Sequence, residues 1–283
     1  MKTILFPTDF SDNAFHSAQY AAMLAKRFDA KLLLLNVYSV ILPIVSESPM
    51  IFDKDDIVVR RQNDAEQSLQ VFADKLMEET KLPTEQIVQL VEYGLLTDVI
   101  ADTAKGMNVD LIVMGTHGAS YMIDRWFGTN AEKVVESSNC PVWVVPENTP
   151  LNMPKVIMYA ADFKEDEVTA TYEVLALAQP LGATCKVIHV HDYFELNANQ
   201  TVKQEVAELK EEFQNFDISI KDINREEIVK GLETYVRTHK PDVLAMAVYE
   251  KSFFSKLFNS SLTEHFVQEA KLPMLFFKKP VYS

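Results

Sequence analysis

Cysteines and long apolar runs are scarce in this sequence, and each shortage excludes a class of protein. Cys140 and Cys185 are the only cysteines among 283 residues, so neither a disulfide framework nor a cysteine metal site is expected. No apolar stretch approaches the roughly 20 residues that span a bilayer. Asp9 interrupts the first apolar run too early for a signal-peptide core. We therefore expect a protein of the reducing cytoplasm.

Basic residues are also in short supply. Lys and Arg number 27 against 41 Asp and Glu, which gives a formal net charge of -14, and the pair Lys278–Lys279 forms no basic patch. Such a surface repels nucleic-acid phosphates and anionic lipids, so neither nucleic acid nor a membrane is an expected partner. The hydrophobic share of 48% is ordinary for a globular protein with a sizeable core.

One sequence unit occurs twice along the chain. Four blocks of the first half match four blocks of the second in the same order: TILFPTDFSDNA with KVIMYAADFKED, AKLLLLNVYSV with ATCKVIHVHDYF, VDLIVMGTHG with PDVLAMAVYE, and SNCPVWVVPE with AKLPMLFFKK. The joint between the halves, PENTPLNMP, is rich in proline and polar residues, as a linker is. The sequence therefore predicts two tandem domains, at residues 1–147 and 154–283.

Each half alternates short apolar runs with segments of helical periodicity. In the first half the predicted strands are Ile4 to Phe6, Leu32 to Val37, Ile87 to Val91, Leu111 to Met114 and Val142 to Val145. Thr97 is the predicted N-cap of the helix that carries Ile100 and Ala104. We predict two flavodoxin-like or Rossmann-like α/β domains, each a five-stranded parallel sheet with helices on both faces.

Three of the seven glycines lie close together in the segment GTHGASYMIDRWFGTN, residues 115–130. Glycines allow backbone N–H groups to approach an anion closely. The spacing Thr129-x-x-Glu132 predicts a capping box, and the N-terminus of the helix that follows would attract negative charge. If strands one and four flank the point where the strand order reverses, the turn Pro7-Thr8-Asp9 faces this segment. Phosphate is the ligand that fits best.

The full spacing is Gly115, two residues, Gly118, nine residues, then Gly128-Thr129. It resembles the Gly-2x-Gly-9x-Gly-Ser/Thr motif of the nucleotide-binding branch of the universal stress protein family. The opening Pro7-Thr8-Asp9 and the strand at Cys140-Pro141-Val142 are also similar to that family. The chain thus resembles a tandem universal stress protein of the UspA-like kind, with a first domain of the ATP-binding type.

The resemblance implies an adenine-nucleotide site in the first half, with ATP as ligand and Mg²⁺ carried by the nucleotide. The glycines, Thr129 and Asn130 would hold phosphates and ribose. Asp9 would contact a ribose hydroxyl or the metal ion, and Val37 would meet adenine through its backbone. The implied site residues are Pro7, Thr8, Asp9, Val37, Met114, Gly115, His117, Gly118, Gly128, Thr129 and Asn130.

The second half departs from this motif at its chemically important positions. Ala247 stands in the place of Gly115 and Glu250 in the place of Gly118. Asn259-Ser260 and Ala160-Ala161 replace Gly128-Thr129 and Pro7-Thr8. We predict that this half keeps the fold without binding ATP in the manner of the family.

No catalytic residue is predicted. The chain has no Walker P-loop, nucleophile elbow or His-Glu-x-x-His pair, and His117 is interpreted as a pocket residue. His189 and His191 are interpreted as structural, so no metal site built from protein groups alone is expected. We expect a nucleotide-binding stress-response and signalling module. Slow ATP hydrolysis or autophosphorylation, and a nucleotide-free dimeric scaffold, stay open as alternatives.

The apolar last strands of the two halves, Val142 to Val145 and Met274 to Phe277, would be exposed edges if left bare. In the family such strands pair across a dimer, so the resemblance implies an intrachain pseudo-dimer. A further homodimer and a downstream protein partner are left open.

Overall fold

A computed structural model describes residues 1–39, 54–116, 129–147, 149–161, 167–192, 198–225, 228–248 and 272–278. Strands and helices alternate along each half. The first half contains β1 (Thr3–Pro7), α1 (Asp12–Phe28), β2 (Lys31–Tyr38), α2 (Lys54–Thr80), β3 (Ile87–Tyr93), α3 (Leu96–Gly106), β4 (Leu111–Gly115), α4 (Thr129–Ser137) and β5 (Val142–Val145). The second contains β6 (Val156–Ala161), α5 (Glu167–Leu181), β7 (Thr184–Asp192), α6 (Ala198–Glu212), β8 (Ile218–Arg225), α7 (Ile228–His239), β9 (Val243–Val248) and β10 (Met274–Lys278).

The ten described strands form one sheet in the order β3-β2-β1-β4-β5-β10-β9-β6-β7-β8. Pairing within each half is parallel, and β5 pairs with β10 antiparallel, with Trp143 opposite Leu275. Each half is therefore a five-stranded parallel sheet of the Rossmann type, which confirms the predicted fold class. The two apolar last strands cover one another's edges, as expected from the sequence.

The two halves repeat the same register and the same hydrogen bonds. Thr3 lies opposite Lys31 in the first half, and Val156 lies opposite Thr184 at the equivalent place in the second. The Asp110 carboxylate accepts from the backbone N–H groups of Lys2 and Thr3. Asp242 repeats this with Lys155 and Val156. The duplication read from sequence thus extends to single interactions that tie β4 to β1, and β9 to β6.

Both faces of the sheet are buried, which explains the continuous apolarity of its strands. Alternate residues such as Ile4, Phe6 and Leu34 join a core with α1, α2, α5 and α6. The residues between them, such as Leu5 and Leu35, join a second core with α3, α4 and α7. The first core runs without interruption across both halves.

Thr97 is not the N-cap of α3, so that prediction was wrong. The helix begins at Leu96, its N-cap is Leu95, and that cap makes no side-chain hydrogen bond. Leu96 and Val99 pack against the second core, and this apolar packing stabilises a helix that begins two residues earlier than the polar signal suggested. Within the described ranges, the helices are all too short or too polar to cross a membrane.

Candidate functional site

A crevice is expected where the strand order reverses, at the carboxyl ends of β1 and β4. Ile4 of β1 lies opposite Leu32 of β2 on one side and Leu111 of β4 on the other. The chain therefore passes from β1 to β2 on one side of β1, and later returns to β4 on the other side. The predicted flanking of this point by strands one and four is confirmed, and it places Pro7 and Gly115 at one sheet edge.

The turn between β1 and α1 is held by its own side chains. Thr8 is buried, and its Oγ1 accepts from the Phe10 N–H at 3.0 Å. Phe10 has a left-handed backbone, with φ of 65°. The Asp9 Oδ1 accepts from the N–H of Ser11 at 3.1 Å and from its hydroxyl at 2.7 Å. These bonds fix the turn while Asp9 itself is exposed at the edge of the crevice.

The same turn organises the start of α1. Ser11 is the N-cap, and its Oγ accepts from the Ala14 N–H at 3.2 Å. Because the Ser11 hydroxyl also donates to Asp9, a chain of hydrogen bonds links the Asp9 carboxylate to the first turn of the helix. The positive end of the helix dipole favours a negative charge at this place.

Asn36 is a site residue that the sequence analysis missed. Its side chain is buried, and Nδ2 donates to the Thr8 carbonyl oxygen at 2.8 Å. The Thr8 N–H donates in turn to the Leu35 carbonyl at 2.8 Å. The two contacts join the β1–α1 turn to the end of β2. The available signal was one polar residue in the apolar run LLLLNVY, just before the strand ends.

Val37 presents its backbone to the crevice. In a strand, residues two apart direct their N–H and C=O groups toward the same neighbouring strand. Since the Leu35 carbonyl faces β1, the Val37 groups face the same way, beyond Pro7, the last β1 residue in the ladder. The Val37 side chain packs against the second core, to which the buried Met114 also belongs. Val37 and Met114 thus provide polar backbone and apolar surface on the two strands that flank β1.

Gly115 and α4 complete the described part of the edge. Gly115 ends β4 opposite Val145, and Thr116 after it is buried. A helix that connects adjacent parallel strands begins at the carboxyl ends of the strands, so the first turn of α4 faces this edge. The helix begins at Thr129, and Thr129 and Asn130 are exposed.

The remaining predicted residues at this edge are not all described. His117, Gly118 and Gly128 lie outside the described residues, and the capping bond of Thr129 stays a prediction. The first turn of α4 offers N–H groups without intrahelical partners, which suit an anion. Among the described side chains, no group of three or more His, Cys, Asp or Glu is placed to hold a metal ion.

The equivalent edge of the second half has lost these features. Ala161 lies opposite His189 and takes the place of Thr8. Ala247 lies opposite Phe277, just as Gly115 lies opposite Val145, so Ala247 takes the place of Gly115. The substitutions predicted at these two positions therefore fall at structurally equivalent places. Glu250 and Asn259-Ser260 lie outside the described residues, as do the side chains of His191 and Asp192.

Comparisons with known proteins agree with this geometry. The model of the "Universal stress protein family" matches residues 1–146. A universal stress protein of Methanocaldococcus jannaschii is 30% identical over 155 residues, which cover 51% of this chain and 81% of the relative. One from Thermus aquaticus is 32% identical over 144 residues, covering 51% of this chain and 98% of the relative.

A solved structure shares the fold over both halves. The crystal structure of a universal stress protein from Archaeoglobus fulgidus covers 98% of this chain and 96% of its own, with a TM-score of 0.68 and 18% identity. At that identity the likeness shows the fold alone. Together with the match over the first half, these findings show that the chain belongs to the universal stress protein family.

Proposed function

We propose that residues 1–147 form a domain that binds an adenine nucleotide, ATP with Mg²⁺, in the β1–β4 crevice. Residues 154–283 form a second domain of the same fold that does not bind ATP in this way. The protein would act as a nucleotide-dependent binding or signalling module in a cytoplasmic stress response. The observation that carries the proposal is the meeting of the Thr8-Asp9 turn, Gly115 and the start of α4 at one sheet edge.

Backbone groups are the proposed phosphate ligands. The first-turn N–H groups of α4 face the crevice, and the sequence places Gly118 and Gly128 between β4 and that helix. Such N–H groups bind phosphate without a cationic side chain. Asp9 would accept from a ribose hydroxyl or coordinate Mg²⁺ bound to the phosphates, since its carboxylate is exposed at the rim.

The base is proposed to lie against β2. The Val37 N–H and C=O can form a donor and acceptor pair with the adenine edge, because both face beyond the last β1 residue of the ladder. Val37 and Met114 offer apolar surface to the ring. Asn36 positions this part of the site through its hydrogen bond to the Thr8 carbonyl.

Isothermal titration calorimetry on nucleotide-free full-length protein tests the proposal. Mg-ATP is expected to bind at one site per chain. Gly118→Glu, which copies Glu250 of the second half, should abolish binding because it places a carboxylate where phosphate is expected. The matched control Glu250→Gly should leave the ATP affinity unchanged. If the wild-type protein gives neither binding heat nor a thermal shift with Mg-ATP, the proposal is wrong.

A further inference from the structure

A groove between β8 and α7 distinguishes the second half from the first. It has a volume of about 310 Å³, and the residues that line it include Lys221 of β8 and, on α7, Gly231, Thr234, Tyr235, Thr238 and His239. In the described sheet β7 separates β8 from β6, so the groove lies apart from the β6–β9 crevice, the counterpart of the β1–β4 crevice. Its volume is at the lower end of the range of about 300–1,000 Å³ that is typical of small-molecule pockets.

The lysine of this groove takes the place of an apolar residue of the first half. Leu90 of β3 lies opposite Leu35, and Lys221 of β8 lies opposite Ile188, at the equivalent place in the sheet. Leu90 packs against the second core. Lys221 is exposed, and its Nζ lies 6.0 Å from the centre of the Tyr235 ring. The second half therefore has a cation over an aromatic ring where the first half has an apolar side chain.

The helix that lines the groove also differs from its counterpart α3. Asn108 and Lys240 follow the two helices, both have left-handed backbones, and they stand two residues before Asp110 and Asp242. The same spacing from these residues places Gly231, Tyr235 and His239 at the positions of Val99, Thr103 and Met107.

Gly231 leaves space in the groove at a cost to the helix. A glycine inside a helix is less favourable than valine, because more backbone freedom is lost on folding. Val99 packs against the second core at this position of α3, whereas Gly231 is buried and has no side chain. The fold thus accommodates a valine here, and in α7 the space of its side chain borders the groove.

Two aromatic rings form one wall of the groove. The Tyr235 and His239 rings are stacked, with their centroids 3.7 Å apart and their planes 13° from parallel. The His239 Nδ1 donates to the Tyr235 carbonyl at 3.0 Å, which holds the imidazole on the tyrosine ring. The Thr234 and Thr238 hydroxyls donate to carbonyls of their own helix, so they are left as acceptors. The wall therefore offers a planar surface with hydroxyl acceptors beside it.

These groups favour a planar ligand with a single negative charge. The described residues that line the groove include Lys221 and no Asp or Glu, although the whole chain has a net charge of -14. Tyr235 and His239 belong to the C-terminal half of α7, where the helix carbonyls disfavour a doubly charged phosphate. An aromatic carboxylate meets both conditions, because its ring can stack and its single charge can pair with a lysine.

We propose that the β8–α7 groove binds a small aromatic carboxylate. The ring of the ligand lies against the stacked Tyr235 and His239, its carboxylate pairs with Lys221, and Gly231 leaves the space that the ring enters. A hydroxyl or ring N–H on the ligand donates to the threonine hydroxyls. The site is independent of the proposed nucleotide site and gives the second half a ligand of its own.

Isothermal titration calorimetry of the full-length protein with benzoate, para-hydroxybenzoate and indoleacetate tests the proposal. We expect at least one of them to bind at one site per chain. Gly231→Val, which introduces the first-half residue, should weaken this binding at least tenfold because the valine fills the groove. Lys221→Leu should weaken it severalfold, since an exposed ion pair contributes modestly. Lys221→Leu should not weaken the binding of the uncharged analogue para-hydroxybenzyl alcohol.

Two further variants separate loss of the site from loss of the fold. Lys210→Leu makes the same change of charge at an exposed position of α6 and should leave the affinity unchanged. Tyr235→Thr, which introduces the first-half residue, removes the aromatic wall and keeps Gly231, so it should weaken binding as well. Urea denaturation checks that each variant is folded. The proposal is overturned if none of the three carboxylates binds at millimolar concentration, or if binding survives in the folded Gly231→Val or Tyr235→Thr protein. Equal weakening by Lys210→Leu and Lys221→Leu also overturns it.

Discussion

At the scale of single residues, Asn36 shows how one side chain couples two strand ends. Its amide donates to the Thr8 carbonyl, and the Thr8 N–H donates to Leu35. Both groups are buried, so the bond from Asn36 satisfies an acceptor that has little access to water. The same bond fixes the turn that carries Asp9 next to the backbone of Val37.

Asn36→Leu is therefore expected to lower both stability and nucleotide affinity. Losing the donor to the buried Thr8 carbonyl should reduce the free energy of unfolding by about 1–3 kcal/mol, measured by urea denaturation. ATP affinity should fall more than tenfold as the turn loosens. Asn36→His, which introduces the residue found at the equivalent position of the second half, His189, is the control. It should retain part of the stability and part of the ATP affinity. An unchanged affinity in Asn36→Leu would show that Asn36 does not position the site.

The two cysteines make a second prediction at this scale. Burial, with a smaller effect of the Asp217 carboxylate, raises the pKa of the Cys185 thiol to about 12. At about pH 8 only roughly one thiol in 10⁴ is then ionised, so Cys185 should not react with a disulfide reagent in the folded protein. The reactivity of Cys185 is measured in Cys140→Ala protein. We expect no labelling of the folded protein, and labelling once denaturant is added. Labelling of folded protein at the rate of an unfolded peptide would contradict it.

The raised pKa also sets a pH dependence. Because the unfolded thiol ionises from about pH 8.5 and the folded thiol only near pH 12, the unfolded state loses its proton first. Unfolding is therefore favoured as pH rises through this interval, and the contribution of Cys185 to stability is complete only below it. Cys185→Ala should lose less stability over the same rise in pH than the wild-type protein, measured by chemical denaturation at several pH values. Parallel pH profiles would contradict this expectation.

Sequence and structure agree on these residues to different degrees. The five first-half strands and the equivalence of Ala247 with Gly115 could be read from apolar runs and the repeat, because buried parallel strands need continuous apolarity. The role of Asn36 could not, because it depends on which groups meet across neighbouring strands, and a linear pattern does not record that. The predicted N-cap at Thr97 was wrong because the packing of Leu96 against the second core outweighed the polar capping signal.

At the scale of elements, the β1–α1 turn is stabilised by a helix cap that also holds Asp9, a residue of the proposed site. The Ser11 hydroxyl accepts from the Ala14 N–H and donates to Asp9. The stability of α1 and the orientation of the Asp9 carboxylate therefore depend on one side chain.

Ser11→Ala should destabilise the protein by about 1 kcal/mol, the usual cost of losing an N-cap. It should also weaken ATP binding, because Asp9 loses the hydroxyl that holds it. Ser137→Ala is the matched control, since that hydroxyl donates to the Lys133 and Val134 carbonyls of its own helix, away from the crevice. Denaturant titration and calorimetry on the two variants separate the effects. Equal behaviour of Ser11→Ala and Ser137→Ala would show that the cap has no role at the site.

At the scale of the whole molecule, the two halves share one sheet and the core on each of its faces. Trp143 of β5 lies opposite Leu275 of β10, is fully buried and packs against Tyr20 of α1. Its Nε1 has no hydrogen-bond partner in the described part of the chain, so its role there is apolar packing. A core continuous across the joint implies that the halves unfold together.

Trp143→Ala should therefore destabilise both halves in one transition, by about 3–5 kcal/mol, the usual range for removing a large buried aromatic. Trp143→Phe keeps most of the apolar contact and removes the unpaired N–H, so it should cost much less. Differential scanning calorimetry should show a single peak for wild type that moves as a whole when Mg-ATP is added. Two peaks, only one of which responds to ATP, would show that the halves are energetically independent.

A crystal structure of the full chain grown with Mg-ATP would locate the nucleotide directly. We predict one ATP per chain, with adenine at the backbone of Val37 and phosphates at the first turn of α4. The β6–β9 crevice should contain no ATP. A nucleotide bound in the second crevice, or none in the first at saturating Mg-ATP, would contradict the proposed function.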